Sequence, residues 1–336
     1  MNYKETFLQA LFIFCQERDL DSSRLASIAG LSLVMPNAGE EYRVTNRQME
    51  TLWMNIVRDS GNDLIGLHFG ETMQLAALNV VGQIIQTSNT VRDALEQACA
   101  LVPLLTDLYE MRLDENADRF TVSFIKNGNL DGFPVSAQQM GDFLVSFTLH
   151  ELKGLITEKV QPLQIVLPTY NPSYVNIYRN ILRCSPQRGE NYILEFETSY
   201  LKTKIISANH EIRNLLISKV NRQHELNAVD GSFSKRIFNF LVANSYLYSL
   251  SIDSVADNFN LTVRTMQRKL KEEGVSYLQI INEVRKSLAI DYVKNTDSSV
   301  KEISVVLGYS EPSGFVRAFK KWTGKTPSAY RTLDKI

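Results

Sequence analysis

Cysteine is scarce in this chain. Cys15, Cys99 and Cys184 are all it has in 336 residues, and no two of them form a CxxC. An odd, scattered set of three argues against a disulfide framework or a structural zinc site and suits a reducing compartment. Histidine is nearly as thin. His68, His150, His210 and His224 make no HxH or HxxxH pair, so they read as surface or hydrogen-bonded residues rather than metal ligands or general bases. No GxSxG, GxGxxG or HExxH is present, so no catalytic residue, metal or cofactor is expected. No run approaches the roughly 20 apolar residues of a membrane span. The opening MNYKETFLQALFIFCQERDL reaches charge too early for a signal peptide. These absences point to a cytoplasmic protein without a membrane partner. A net charge is missing as well: 36 Lys+Arg meet 37 Asp+Glu.

The balance hides an asymmetry. From Ser251 to Ile336 there are 14 basic and 10 acidic residues, against 22 and 27 before Ser251. A basic C-terminal quarter on an acidic body suggests a nucleic-acid module. Hydrophobic residues at 44% and charged residues at 22% are the balance of a folded chain, and the length suits two domains.

Apolar residues three or four apart predict a helix over 4–18, with Phe7, Leu8, Leu11, Phe12 and Cys15 on one face. Asp21-Ser22-Ser23 offers caps for a second helix, ended by Gly30. Further helices fall near 46–59, 63–70, 74–86 and 90–104, the last entered at Thr90 or Asn89. Strands are predicted at Thr106–Leu113 and Phe120–Lys126 around a polar turn, then at Leu163–Leu167 and Tyr192–Phe196, with helices at 137–156 and 172–182. That is an α+β domain over residues 1–206. After Tyr200 only helical patterns occur. A helix over 208–226 is the candidate coupling element and NAVDGS at 227–232 the linker, so residues 207–232 lead into an all-α domain at 233–332.

The all-α part holds a degenerate repeat: SIDSVADNFNLTVRTMQRKLKEEG (Ser251–Gly274) and SVKEISVVLGYSEPSGFVRAFKKWTG (Ser299–Gly324). Each has a short helix, a tight polar turn and a second helix. Ile252, Val255, Ala256 and Phe259 line the first short helix; Val300, Ile303 and Leu307 line its counterpart. The second helices share an apolar-x-Arg-x-apolar pattern, Met266 to Leu270 around Arg268 and Phe315 to Phe319 around Arg317. Ser299 with Glu302 makes a capping box, Thr262 and Ser310 stand as caps of the second helices, and Gly274 and Gly324 close them. Between the repeats, Leu278, Ile281, Val284, Leu288 and Tyr292 predict one amphipathic helix of about 19 residues, roughly 28 Å long.

Two short helices around a tight turn describe a helix-turn-helix, whose second helix meets base edges in the major groove. With Met266 and Leu270 inward, helix 263–273 presents Arg264, Gln267, Arg268 and Lys271. With Phe315, Phe319 and Trp322 inward, helix 312–323 presents Ser313, Val316, Arg317 and Lys320. Gln suits adenine, Arg guanine, Lys phosphate, and Val316 a thymine methyl. A rod of roughly 28 Å can hold two such helices about one DNA turn apart, ~34 Å. Solvated basic faces are the bland alternative, and repetition at matched positions argues against it. Gly324-Lys325-Thr326 is similar to the end of a phosphate-binding loop, but Phe319 stands where that loop needs Gly, and the segment closes a helix. Arg285 is basic enough for a phosphate; inside the linking helix a carboxylate partner such as Asp257 or Glu283 is expected instead.

Residues 233–332 resemble the DNA-binding domain of the AraC/XylS family of bacterial transcription regulators. The likeness rests on Val255-Ala256, TVRTMQRKLKEEGVSY, Arg285 with Leu288-Ala289, Ile303, Leu307-Gly308-Tyr309 and SEPSGFVRAFKKWTGKTPSAYR, without a gap. FSKRIFNFLVA (Phe233–Ala243) stands as the domain's first helix. Asn260 departs from the Gly of many relatives; Asn tolerates a positive φ, so the turn is expected to survive. Upstream, GNDLIGLHFGE (61–71), LNVVGQIIQTSNTVRDALEQA (78–98) and YNPSYVNIYRNILRCSPQRGENYILEF (170–196) resemble the so-called arabinose-binding domain of one subgroup, a name that does not imply arabinose.

The resemblance implies a sequence-specific regulator, more often an activator, with duplex DNA and, for an activator, RNA polymerase as partners. Its N-terminal domain would bind a small-molecule effector, dimerise, or both; no pattern singles out effector contacts. The alternative is an effector-independent regulator whose N-terminal domain only forms a homodimer, with Leu8, Leu11, Phe12 and Cys15 as a candidate interface, though such faces are more often core. An enzyme would need a reactive constellation in residues 1–226. A repair protein of the adaptive-response type would need a zinc-bound cysteine cluster. Neither pattern is found.

Overall fold

A computed structural model describes residues 3–33, 44–78, 80–128, 130, 132–156, 160–205, 232–243, 251–295 and 298–333. The coupling helix predicted over 208–226 and all of the linker but Ser232 lie outside these residues. The chain forms two compact units, one covering nearly everything up to Ile205 and the other the chain after it.

The first unit opens with helices α1 (Tyr3–Gln16), α2 (Ser22–Ile28), α3 (Asn46–Ser60) and α4 (Ile65–Gly70). A 3-10 turn (Leu75–Leu78) and α5 (Val80–Gln86) stand in place of the one helix expected over 74–86, and α6 (Val91–Leu105) follows where a helix over 90–104 was expected. Local side chains set several starts. Asp21 accepts the Arg24 N–H, while Thr45 with Gln48 and Thr90 with Asp93 form capping boxes, so Thr90 rather than Asn89 is the cap.

Strands β1 (Tyr109–Glu115) and β2 (Arg119–Lys126) make an antiparallel hairpin. Asn116 Oδ1 closes its turn by accepting the N–H groups of Asp118 and Arg119. β1 begins later than predicted because Thr106 ends α6 and its Oγ1 accepts the Leu108 N–H at 3.1 Å, turning the chain first. Then come α7 (Pro134–Leu155), β3 (Gln164–Leu167), α8 (Val175–Leu182), β4 (Gln187–Arg188) and β5 (Tyr192–Glu197). The sheet order is β1-β2-β5-β3-β4, antiparallel except between β3 and β4. Phe120, Val122 and Phe124 of β2 and Tyr192, Leu194 and Phe196 of β5 are buried, which puts the core on one face of the sheet.

α7 runs through the interior, with Phe143, Val145 and Leu149 buried beside Asp142 and Ser146. α4 crosses it at close range. A Cβ on Gly66 would overlap the main chain of Gln139, and one on Gly70 would overlap that of Phe143. Any side chain at either glycine would force the helices apart. The apolar face of α1 is core: Leu8, Leu11, Phe12 and Cys15 are buried, and Phe7 meets Phe69 and Phe143 edge-on at 5.4 and 5.2 Å. Those side chains are therefore taken up inside the unit and do not form a subunit interface. His68 and His150 are buried, not surface residues, because α4 and α7 are interior helices. Burial, aided by the charge of Arg18, pushes His68 down to about 3.

The described elements of the second unit are all helices: α9 (Phe233–Ala243), α10 (Ile252–Asn258), α11 (Val263–Glu272), α12 (Tyr277–Asn295), α13 (Val300–Val306), α14 (Pro312–Thr323) and α15 (Pro327–Leu333). Val255, Met266 and Leu270 of the first repeat and Ile303, Leu307, Phe315 and Phe319 of the second share one core, joined through Val284, Leu288, Ala289 and Tyr292 of α12. Two inward assignments need correcting. Leu278 is 65% exposed; it sits in the first turn of α12, where Ile280 and Ile281 supply the buried contacts. Trp322 is only partly buried, because α14 ends one residue later and its last turn lies at the rim of the core.

Candidate nucleic-acid interface

The two repeats fold into the same turn. Asn260 has φ 55° and Gly308 φ 75°, both left-handed. Leu261 N–H reaches Ala256 O at 2.9 Å, and Tyr309 N–H reaches Ser304 O at 2.9 Å. Each is the long hydrogen bond of a Schellman helix end. Asn260 thus does the work of Gly308, as its tolerance of positive φ predicts.

The second helices begin differently. Thr262 caps α11, its Oγ1 accepting the Thr265 N–H at 3.2 Å. Ser310 does not cap α14. The residue before a proline is driven to extended backbone, so Glu311 (φ −141°, ψ 144°) is the boundary and makes no side-chain cap bond. Pro312 then fills the first helical position, where its missing N–H has no cost. The capping box of Ser299 and Glu302 forms as predicted at the start of α13.

These starts fix which side chains face outward. Met266 and Leu270, and Phe315 and Phe319, are fully buried. Arg264, Gln267, Arg268 and Lys271 are exposed on α11. Ser313, Arg317 and Lys320 are exposed on α14, with Val316 partly so. The pairs 264 and 313, 267 and 316, 268 and 317, and 271 and 320 occupy equivalent positions around their buried anchors. Arg268 Nε lies 3.8 Å from Glu272, with both side chains exposed. Such an exposed pair is worth about 0.3–0.5 kcal/mol, so a phosphate or a base can displace it. Ser313 Oγ donates to the Glu311 carboxylate at 3.3 Å.

Three residues outside these exposed faces tie this surface together. Arg285 donates its Nε–H to Leu307 O at 3.0 Å and lies over the Tyr309 ring, in place of the carboxylate or phosphate expected for it. The carbonyl wins because the turn of the second motif packs directly on α12. Glu273, one residue beyond α11, accepts the N–H groups of Phe233 and Ser234 at 2.6 and 2.8 Å and so caps α9. Burial opposes its charge, but the bonds from Ser234 and Phe233 and the charge of Arg236 outweigh that and hold the carboxyl below its ordinary value. Arg331 donates to Val293 O at 3.1 Å and Ser298 O at 2.7 Å, fastening α15 near the end of α12. Each contact joins residues more than 20 positions apart, so no local spacing announces them. Among the described residues no helix is long and apolar enough to cross a membrane.

Residues 20–205, more than half of the chain, match the family described as the N-terminal arabinose-binding domain of the AraC transcription regulator, and residues 255–332 match a helix-turn-helix domain. The chain belongs to the AraC family of transcription regulators. Its AraC-family relatives include the ornithine utilization regulator of Pseudomonas aeruginosa, 24% identical over 81% of this chain and 79% of that protein. The HTH-type transcriptional regulator VqsM of the same organism is 25% identical over 79% of this chain and 83% of its own. Among solved structures, the transcriptional regulator CdpR from Pseudomonas aeruginosa is matched over 92% of this chain and 96% of that one, at 23% identity and a TM-score of 0.42. This AraC-family chain is a helix-turn-helix, DNA-binding transcription regulator and not an enzyme.

Proposed function

We propose that the regulator reads two successive major grooves with helices 263–273 and 312–323. The observation that carries this reading is the pair of equivalent exposed faces anchored in one core through α12. Arg264, Gln267, Arg268 and Lys271 face one groove, and Ser313, Val316, Arg317 and Lys320 the next. The arginines and Gln267 meet base edges, the lysines meet phosphates, and Val316 lies against a thymine methyl. α12, at 19 residues, is roughly 28 Å long and sets the separation near one DNA turn.

Under this proposal residues 1–206 form the sensing part, 207–232 the coupling helix and linker, and 233–332 the DNA-binding domain. A small effector bound to the first part favours the arrangement of domains that suits the operator, a population shift. The regulator acts in the cytoplasm, as an activator in contact with RNA polymerase, and as a homodimer if the N-terminal part also self-associates. The match of residues 20–205 to a sensor-type domain supports effector control.

Selection of full-length protein on random duplex DNA at near-physiological salt tests the DNA reading. Two recovered blocks about ten base pairs apart are the expected result. A single short block would limit reading to one helix.

A further inference from the structure

The two motifs differ at the entry to their second helices. Five positions separate Leu261 from Met266, and six separate Tyr309 from Phe315. Each pair runs from the residue that makes the long hydrogen bond of the turn to the first buried anchor. The second approach is therefore one residue longer. Counted back from the anchors, Glu311 stands where Thr262 stands in the first motif. Thr262 spends its hydroxyl on capping α11. Glu311 makes no cap bond. Its side chain is exposed, and among the described residues its carboxylate accepts one hydrogen bond, from Ser313 Oγ at 3.3 Å. Ser313 belongs to the exposed face of α14, with Arg317 and Lys320. The contact thus draws a carboxylate to the edge of a basic face, at the end of the helix that meets base edges in a helix-turn-helix.

A carboxylate only accepts hydrogen bonds. Phosphates repel it, and guanine and thymine offer it no donor in the major groove. The adenine donor lies beside the N7 acceptor of the same base, an arrangement that an amide matches and a carboxylate does not. The N4 amino group of cytosine is the donor that suits it.

We propose, on the two-groove reading above, that Glu311 is a specificity-determining residue whose carboxylate accepts a hydrogen bond from the N4 amino group of a cytosine in the second groove. Ser313 and Arg317 are four residues apart, about 6 Å along the helix. The cytosine therefore lies roughly two base pairs from the base that Arg317 meets. On every other sequence the same carboxylate faces phosphates without a donor, so it also acts against wrong sites.

Full-length wild type, Glu311→Ala, Glu311→Gln and Arg317→Ala are each selected on random duplex DNA at near-physiological salt. The wild type should recover a fixed cytosine in the second block. Glu311→Ala should lose the preference at that position alone, and Glu311→Gln should admit adenine there. Both should bind random duplexes more tightly than the wild type, the opposite of losing a lysine. In the recovered operator, replacing that cytosine by 2-pyrimidinone, which lacks the amino group, should weaken wild-type binding roughly ten-fold. The same replacement should leave Glu311→Ala binding unchanged. Wild-type base preferences in both Glu311 variants overturn the proposal. A lowered melting temperature as their only change overturns it too, and leaves Glu311 a partner of the α14 helix dipole. Arg317→Ala separates the proposal from the reading beneath it. If that variant alone loses a base preference in the second block, the two-groove reading stands and Glu311 is removed from it. An unchanged motif in all three variants removes both.

Discussion

Arg285 of α12 donates its Nε–H to the carbonyl oxygen of Leu307, 3.0 Å away, and its guanidinium lies 5.3 Å from the centre of the Tyr309 ring. Leu307, Gly308 and Tyr309 are the turn of the second motif, so one side chain fastens that turn to the rod carrying both motifs. Arg285→Met keeps an apolar stem and removes both contacts. It should cost about 1–3 kcal/mol of stability, as expected for a charged donor that leaves a carbonyl unpaired. It should also broaden the tolerated gap between the two DNA blocks, measured by binding to operators with inserted or deleted base pairs. An unchanged gap preference with lowered stability would make Arg285 a brace only.

The equivalent arginines should separate from the lysines in their effect on DNA. Arg268→Ala and Arg317→Ala should each cost about 1–3 kcal/mol of specific binding and relax selectivity at one position. Lys320→Ala should weaken binding to all sequences alike and flatten the salt dependence by about one unit. Titrations of each variant against specific and random duplexes at several salt concentrations decide this. Equal losses on both DNAs would remove the arginines from base readout.

Core positions of α14 should differ from its rim. Phe319 is fully buried and meets the Tyr330 ring at 5.4 Å, whereas Trp322 is partly exposed. Phe319→Ala should cost about 3–5 kcal/mol in chemical denaturation. Trp322→Ala should cost less, about 1–2 kcal/mol, since part of that side chain is already in water. A Trp322 loss as large as that of Phe319 would mean the rim packs tighter than its exposure implies.

The helix-turn-helix motifs were legible because their determinants are local. Met266 and Leu270, Phe315 and Phe319, and the Thr262 and Ser299 caps act within one or two turns, the range over which spacing is informative. Asn260 was legible for the same reason, since its φ is a property of one residue. What escaped is long-range or competitive. Glu273, Arg285 and Arg331 find main-chain partners far along the chain. Ser310 has the chemistry of a cap, but Pro312 moves the helix start past it. Among the described residues the two-residue β4 pairs only with β3, and it carries no alternation. In the first unit, Trp53 of α3 and Ser136 of α7 line one small pocket, and no periodicity links the two positions.

Asp142 gives the first unit a pH dependence. It is fully buried on α7, and burial pushes its carboxyl up to about 7, opposed by hydrogen bonds from Thr169 and Tyr192. The folded state thus favours the protonated form. That contribution is complete below the unfolded value near ~4 and is lost as pH rises through about 7. Relative to Asp142→Asn, the wild type should lose melting temperature between about pH 4 and pH 7. Parallel curves for the two proteins would clear Asp142 of the effect.

Glu273 should act with the opposite sign in the second unit. Its carboxylate accepts the Phe233 and Ser234 N–H groups at the start of α9, and these bonds keep its carboxyl below the ordinary value despite partial burial. A depressed value means that ionised Glu273 stabilises the fold. The contribution is present above its unfolded value near ~4.3 and fades as pH falls through the lower folded one. Glu273→Gln should cost about 1 kcal/mol at neutral pH, the usual worth of a helix cap. The difference between wild type and variant should shrink as pH falls below the unfolded value and through the lower folded one, where the wild-type side chain also becomes neutral. A difference that stays constant across this range would show that Glu273 holds α9 through its shape and packing, with no part played by its charge.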